Sequence, residues 1–181
     1  MTPILAPPLK FPSFANSITV SNNALAAPLT AAYNLVTKYL PGAINFGGNY
    51  VRLIVLGPSL GSYTLSNTYI GLTTTGSIPS QTGATRITWN NAQNSLTATD
   101  ARFYVSDLIS FTVDDTKALY ISYDVATGGQ VPYRANLGTN YVSYIKSGGG
   151  EAGTATRSGY TPVAGFNYLT AHLQVNGNDE S

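Results

Sequence analysis

The stretch "FYVSDLISFTVDDTKALYISYDV", residues 103–125, carries four of the chain's eight acidic residues: Asp107, Asp114, Asp115 and Asp124. Two opposed carboxylates, one with a raised pKa, are what glycoside hydrolysis needs. Carboxylates mixed with carbonyl oxygens are what calcium takes, although the chain has no D-x-D-x-D-G loop. Acyl transfer needs a nucleophile with a positioned base, and His172 is the only imidazole. In "YLTAHLQV" it shares parity with Tyr168, Thr170 and Gln174, opposite Leu169, Ala171, Leu173 and Val175, which is a solvent-face position. "SGGGEAG", residues 147–153, has the glycines of a phosphate cradle, but no Lys-Ser/Thr follows and no helix is expected there, so it reads as a flexible loop.

Periodicity decides how the aspartates are placed. Ile109, Phe111 and Val113 alternate with Ser110 and Thr112, while Leu119, Ile121, Tyr123 and Val125 alternate with Tyr120, Ser122 and Asp124. If the two runs form an antiparallel hairpin, Val113 faces Leu119, Phe111 faces Ile121 and Ile109 faces Tyr123. "DDTKA" is then the hairpin loop, with Asp114 and Asp115 capping its backbone, and Asp124 lies on the polar strand face. Asp107 precedes the regular strand and takes a turn or bulge role. On this reading the four carboxylates do not converge, and no catalytic residue, cofactor or metal site is expected.

The rest of the chain has the same β character. Runs rich in β-branched and aromatic residues recur from residue 50 onward: "YVRLIVL", "YTLSNTYIGL", "TRITWN", "ISFTV", "ALYISYDV", "YVSYIK" and "NYLTAHLQV". Turn signals such as "GPSLGS", "NNAQN" and "KSGGGEAG" separate them. The expectation is a mainly β chain, an antiparallel sandwich or jelly roll of about eight strands over 50–176, with a tail at 177–181. "PLTAAYNLVTKYLPG" places Leu29, Ala32 or Tyr33, Val36 and Leu40 at helical spacing, so one short helix is expected before Pro41-Gly42. Residues 1–26 are Pro-, Asn- and Ala-rich and read as an extended arm; with the helix they make an anchoring segment, 1–49.

Composition narrows the partners. Only 9% of the 181 residues are charged and the net charge is +1, with no Lys/Arg cluster able to neutralise several phosphates, so nucleic acid is not expected as a partner. There is no cysteine, no apolar run long enough to span a membrane, and a proline-broken N-terminus that makes a poor signal peptide. Synthesis in a cytoplasm follows as the expectation. The thirteen tyrosines are the most unusual positive feature, since Tyr offers large contact area and a hydroxyl at small entropic cost. By parity Tyr120 and Tyr168 point outward, and with Trp89 they are candidate contacts for a protein partner or a glycan. Pro7, Pro8, Phe11 and Phe14 are the candidate anchors of the arm.

The runs "VRLIVLGPSLGSYTLSNTYIGLTTTG", "TRITWNNAQNSLTATDARFYVSDLISFTVDDTKALYISYDVA" and "YVSYIKSGGGEAGTATRSGYTPVAGFNYLTAHLQV" resemble a β-sandwich module of bacteriophage structural proteins. They are also similar to the non-catalytic jelly-roll module that precedes some SGNH-type esterase domains. In those modules a Ser-Asp introduces a strand and a "lavSlY"-like strand follows; the matching positions are Ser106, Asp107, Ser122 and Tyr123. No Gly-Asp-Ser or Asp-x-x-His segment is present, so esterase activity does not carry over. The resemblance implies a non-enzymatic virion protein made in a host bacterium: capsid decoration, head fibre or tail fibre. Its expected partners are other virion proteins and copies of itself. The alternative is a carbohydrate-binding module that adsorbs to host polysaccharide through Tyr and Trp.

Overall fold

The computed structural model describes residues 31–44, 47–73, 82–126, 131–134 and 138–176. The expected arm, with Pro7, Pro8, Phe11 and Phe14, and the tail at 177–181 lie outside these residues. Within them the chain is mainly β, as its alternation predicts, and contains thirteen strands and no helix. In chain order these are β1 (Tyr33–Tyr39), β2 (Gly48–Leu56), β3 (Tyr63–Thr73), β4 (Thr82–Arg86), β5 (Leu96–Ala98), β6 (Phe103–Val105) and β7 (Ile109–Val113). They continue with β8 (Ala118–Val125), β9 (Tyr133–Arg134), β10 (Tyr141–Ser147), β11 (Thr161–Ala164), β12 (Asn167–Tyr168) and β13 (Thr170–Asn176). All seven runs read from the sequence contain strand residues.

Every pairing is antiparallel. The larger sheet has the order β11-β10-β1-β8-β3-β4, with β5 also on β3; the smaller has β13-β2-β6, with β7 also on β2; β9 and β12 form a separate pair. One core cluster takes side chains from both sheets: Leu35 and Tyr39 of β1, Leu119, Ile121, Tyr123 and Val125 of β8, Val51, Leu53 and Val55 of β2, and Leu173 and Val175 of β13.

The short helix is overturned. Residues 33–39 form β1, which pairs with β10 on one side and with β8 on the other. Leu35 and Tyr39 enter the core, while Val36 packs on the opposite face with Tyr120 and Tyr144. A strand buried on both faces loses its period-2 alternation, and its apolar residues then fall by chance at spacings of three and four. The Pro41-Gly42 stop is a turn, with Gly42 at φ 89° and Ala43 N–H donating to the Leu40 carbonyl at 2.9 Å. The larger sheet therefore begins before residue 50.

The hairpin at residues 109–125 is also corrected. Ile109, Phe111 and Val113 face the core with Leu119, Ile121, Tyr123 and Val125, as their alternation requires. Yet β7 hydrogen-bonds to β2 and β8 lies between β1 and β3, so the two strands belong to different sheets. Residues 114–117 arch from one sheet to the other. Alternation states which residues face a core; it does not distinguish a neighbour in the same sheet from one across the core.

Under a helical reading Leu35 lies off the apolar stripe, whereas in β1 it is fully buried. Leu35→Ala is expected to cost about 2–5 kcal/mol, measured as a shift of the urea unfolding midpoint at unchanged slope. A surface-like cost of a few tenths of a kcal/mol would contradict the strand.

Candidate functional site

Polar side chains concentrate on the outer face of the larger sheet, where β8 presents Tyr120, Ser122 and Asp124. All three are buried, contrary to the solvent-face position that their parity predicts. The cover is the segment between β10 and β11. Asp124 Oδ1 accepts the Gly150 N–H at 2.8 Å and the Glu151 N–H at 3.1 Å, and Oδ2 accepts the Ala152 N–H at 3.3 Å. Asn34 Nδ2 of β1 and Asn67 Nδ2 of β3 donate to the same carboxylate at 2.9 and 3.1 Å. Gly148 and Gly150, at φ 95° and 89°, supply the left-handed backbone that aims successive N–H groups inward. The Gly-rich "SGGGEAG" is thus an anion cradle after all, and its anion is the chain's own Asp124.

The remaining polar groups lock this cover down. Arg157, buried, donates to the Ala152 carbonyl at 2.6 Å and to Ser122 Oγ at 3.1 Å; burial pulls its guanidinium below the usual range. Glu151 accepts from Lys146 Nζ at 2.6 Å and from the Tyr160 hydroxyl at 3.0 Å, and the lysine bond holds its carboxyl below the usual range. Tyr160 also donates to Asn34 Oδ1 at 2.5 Å, and burial pushes its hydroxyl pKa up.

The other aspartates each close a local turn. Asp107 accepts from Thr88 Oγ1 at 2.7 Å, the Ala92 N–H at 2.8 Å and the Asn91 N–H at 3.1 Å, fixing a loop whose Asn90, Asn91 and Ala92 all have positive φ. The Thr88 hydroxyl, helped by those two N–H groups, lowers its pKa. Asp114 pairs with Lys117 at 2.9 Å and accepts the Thr116 N–H at 3.0 Å, an arrangement that lowers its pKa to about 2. Asp115 is exposed in the same arch. Among the described residues no three His, Asp or Glu side chains converge as a metal site.

The expected contact residues separate. Trp89 and Tyr120 are fully buried, so neither offers a ring to a glycan or a partner. Trp89 is in the main core, and its backbone bridges Gln93 and Ser106; Tyr120 packs against Val36 and Tyr144 with Lys38 Nζ 5.5 Å from its ring centroid. Their burial follows from the cover and the loops around them, which parity along one strand does not report. Tyr168 is half-buried within a ring cluster: Tyr133 stacks on Phe166 at 5.1 Å, and Tyr168 lies 6.0 and 6.2 Å from those two rings. His172 is half-exposed, with Phe103 edge-on at 5.5 Å.

Sequence reasoning missed the outer face of the smaller sheet. Register places Ile54 beside both Val105 and His172, and Leu56 beside Phe103, on one face. Ile54 and Leu56 are buried beneath this row with Ala171, whereas Phe103 and Val105 are 55% and 47% exposed and nearby Leu108 is 44% exposed. The signal was present in "VRLIVL", where apolar residues hold both parities in a strand with only one core to face. A separate cavity of about 430 Å³ lies between Lys38, Leu40, Pro41, Thr73 and the arch residues Thr116, Lys117 and Ala118.

Comparison with known proteins returns no match: no family model fits the chain and no curated protein is detectably similar to it.

The carboxylates carry two expected outcomes. Asp124→Ala strands the Gly150–Ala152 amides and two carboxamides, and should cost about 3–5 kcal/mol while speeding hydrogen exchange at residues 150–152. Asp107, Asp114 and Glu151 have pKa values lower in the folded than in the unfolded state, so their stabilisation is complete above their unfolded values and disappears as pH falls through the folded ones. The urea midpoint should therefore decline from about pH 5 toward pH 2, with a shallower decline in Asp107→Asn.

Proposed function

We propose that this chain is a non-enzymatic bacteriophage virion protein, built as a β-sandwich of jelly-roll type and made in the host bacterial cytoplasm. It docks on other virion proteins or on copies of itself. The observation that carries the reading is the apolar outer face of the smaller sheet, where Phe103, Val105 and Leu108 stay exposed over buried Ile54 and Leu56. A contiguous exposed apolar face rimmed by polar residues marks a protein contact surface. The polar network on the opposite side supports a scaffold role, because Asp124, Glu151 and Arg157 are committed to holding one loop on the larger sheet. Capsid decoration, head fibre and tail fibre all fall within this reading.

The test is incorporation into particles. Antibody raised against the chain should label purified virions of the phage that encodes it. Phe103→Asp combined with Val105→Asp should lower incorporation by roughly thirtyfold, the effect of losing about 2 kcal/mol at a contact hot spot, with the far-ultraviolet spectrum unchanged. Absence of the chain from mature particles would overturn the reading.

A second reading has its own support: the Tyr133–Phe166–Tyr168 rings form a half-buried aromatic surface on which sugar rings can stack. On this reading the chain adsorbs to host polysaccharide. Binding on a glycan array that is lost in Tyr168→Ala supports it, and no binding by the wild-type chain counts against it.

A further inference from the structure

The cavity of about 430 Å³ lies at the opposite end of β8 from the Asp124 network, since β8 begins at Ala118, which lines the cavity. Small-molecule sites span about 300–1,000 Å³, and this volume falls within that range. Register sets its floor. Lys38 of β1 lies beside Tyr120 and Thr73 of β3 lies beside Ala118, so three adjacent strands bring Lys38, Thr73 and Ala118 to one face of the larger sheet. Leu40 and Pro41, from the turn after β1, and Thr116 and Lys117, from the arch, add the walls. Both walls are held by the chain's own hydrogen bonds. In the turn, Leu40 N–H donates to the Asn140 carbonyl at 3.0 Å and the Leu40 carbonyl accepts the Ala43 N–H at 2.9 Å. In the arch, Asp114 accepts the Lys117 N–H at its carbonyl, at 3.1 Å, and the Thr116 N–H at its carboxylate, at 3.0 Å. A site held in this way is formed before a ligand arrives, which lowers the ordering cost of binding.

The charge of the lining has one sign. Among the described residues that line the cavity, the charged ones are both lysines, one from the sheet and one from the arch. Lys38 is only 9% exposed, with Nζ 5.5 Å from the Tyr120 ring centroid, and a charge so little exposed acts on a neighbouring anion more strongly than one in open water. Lys117 Nζ pairs with Asp114 at 2.9 Å, and an ammonium has three donors, so that carboxylate does not exhaust it. Between the two amines the walls at Leu40, Pro41 and Ala118 are apolar. We propose that this cavity binds a small organic carboxylate with an apolar body, its charge held by Lys38 and Lys117 and its body against Leu40, Pro41 and Ala118. Covering those walls releases water from apolar surface, while the single negative charge complements the two amines. The arch is then a ligand contact as well as the connection between the sheets, whether or not the chain belongs to a virion.

Calorimetric titration of the full-length chain with naphthoate tests this, with naphthalenemethanol and naphthylmethylamine as neutral and cationic analogues of the same ring. Naphthoate should bind, and both analogues should bind at least roughly tenfold more weakly, the worth of one charge-assisted hydrogen bond. Lys38→Gln should weaken naphthoate by about tenfold and leave the neutral analogue unchanged. Thr116→Trp, on the exposed arch, is a second variant that leaves the sheet residues in place; its indole should fill the cavity and abolish binding. Phe103→Asp with Val105→Asp, on the smaller sheet, should leave naphthoate binding unchanged. Absence of naphthoate binding would overturn the proposal, as would equal affinity for the three probes. Binding that survives Thr116→Trp but is lost in the Phe103 and Val105 pair would overturn it too, since the ring would then be sitting on the apolar face of the smaller sheet.

Discussion

The constraint on which the larger sheet depends is the burial of Asp124. A carboxylate taken out of water costs several kcal/mol unless donors replace its hydration. Here five donors do so, from β1, β3 and three consecutive amides after β10. Meeting that demand draws the Gly-rich segment down over the outer face of β8, which buries Ser122 and brings Arg157 against it. β8 thereby becomes a strand with no solvent face, all eight of its residues buried, and its neighbour β1 is closed on both sides as well. Covering the outer face with an internal polar network is how a chain with only 9% charged residues keeps its tyrosine-rich strands out of water.

The smaller sheet follows a different logic. Its inner residues, Val51, Leu53, Val55, Leu173 and Val175, meet the core, while its outer face sets apolar Ile54, Leu56, Phe103 and Val105 beside polar Arg52, His172 and Gln174. Apolar side chains at both parities of β2 bury Ile54 and Leu56 only as far as Phe103, Val105 and His172 can lean over them. The molecule thus has one side closed by hydrogen bonds and one side that presents aliphatic and aromatic surface.

Much of the β content was legible along the chain. Period-2 alternation located strands in all seven runs and assigned Ile109, Phe111, Val113, Leu119, Ile121, Tyr123 and Val125 to the core. Turn chemistry placed Asp107 and Asp114 at loops, where each caps backbone N–H groups. The same local rules failed for β1, whose two buried faces imitate a helical stripe, and for the partner of β7, which is β2 rather than β8. They failed again for Trp89, Tyr120 and Asp124, which were expected near the surface and are buried.

These failures share a cause. Residue type and spacing determine, from the sequence alone, that a segment is extended and which of its side chains share a face, because those properties come from the backbone of that segment. Whether a face meets solvent depends on what arrives from elsewhere: the 148–152 segment reaching Asp124, or the arch at 114–117 carrying the chain from one sheet to the other. Only the tertiary structure decided those meetings, since each joins residues tens of positions apart through hydrogen bonds and apolar contacts that no local pattern encodes.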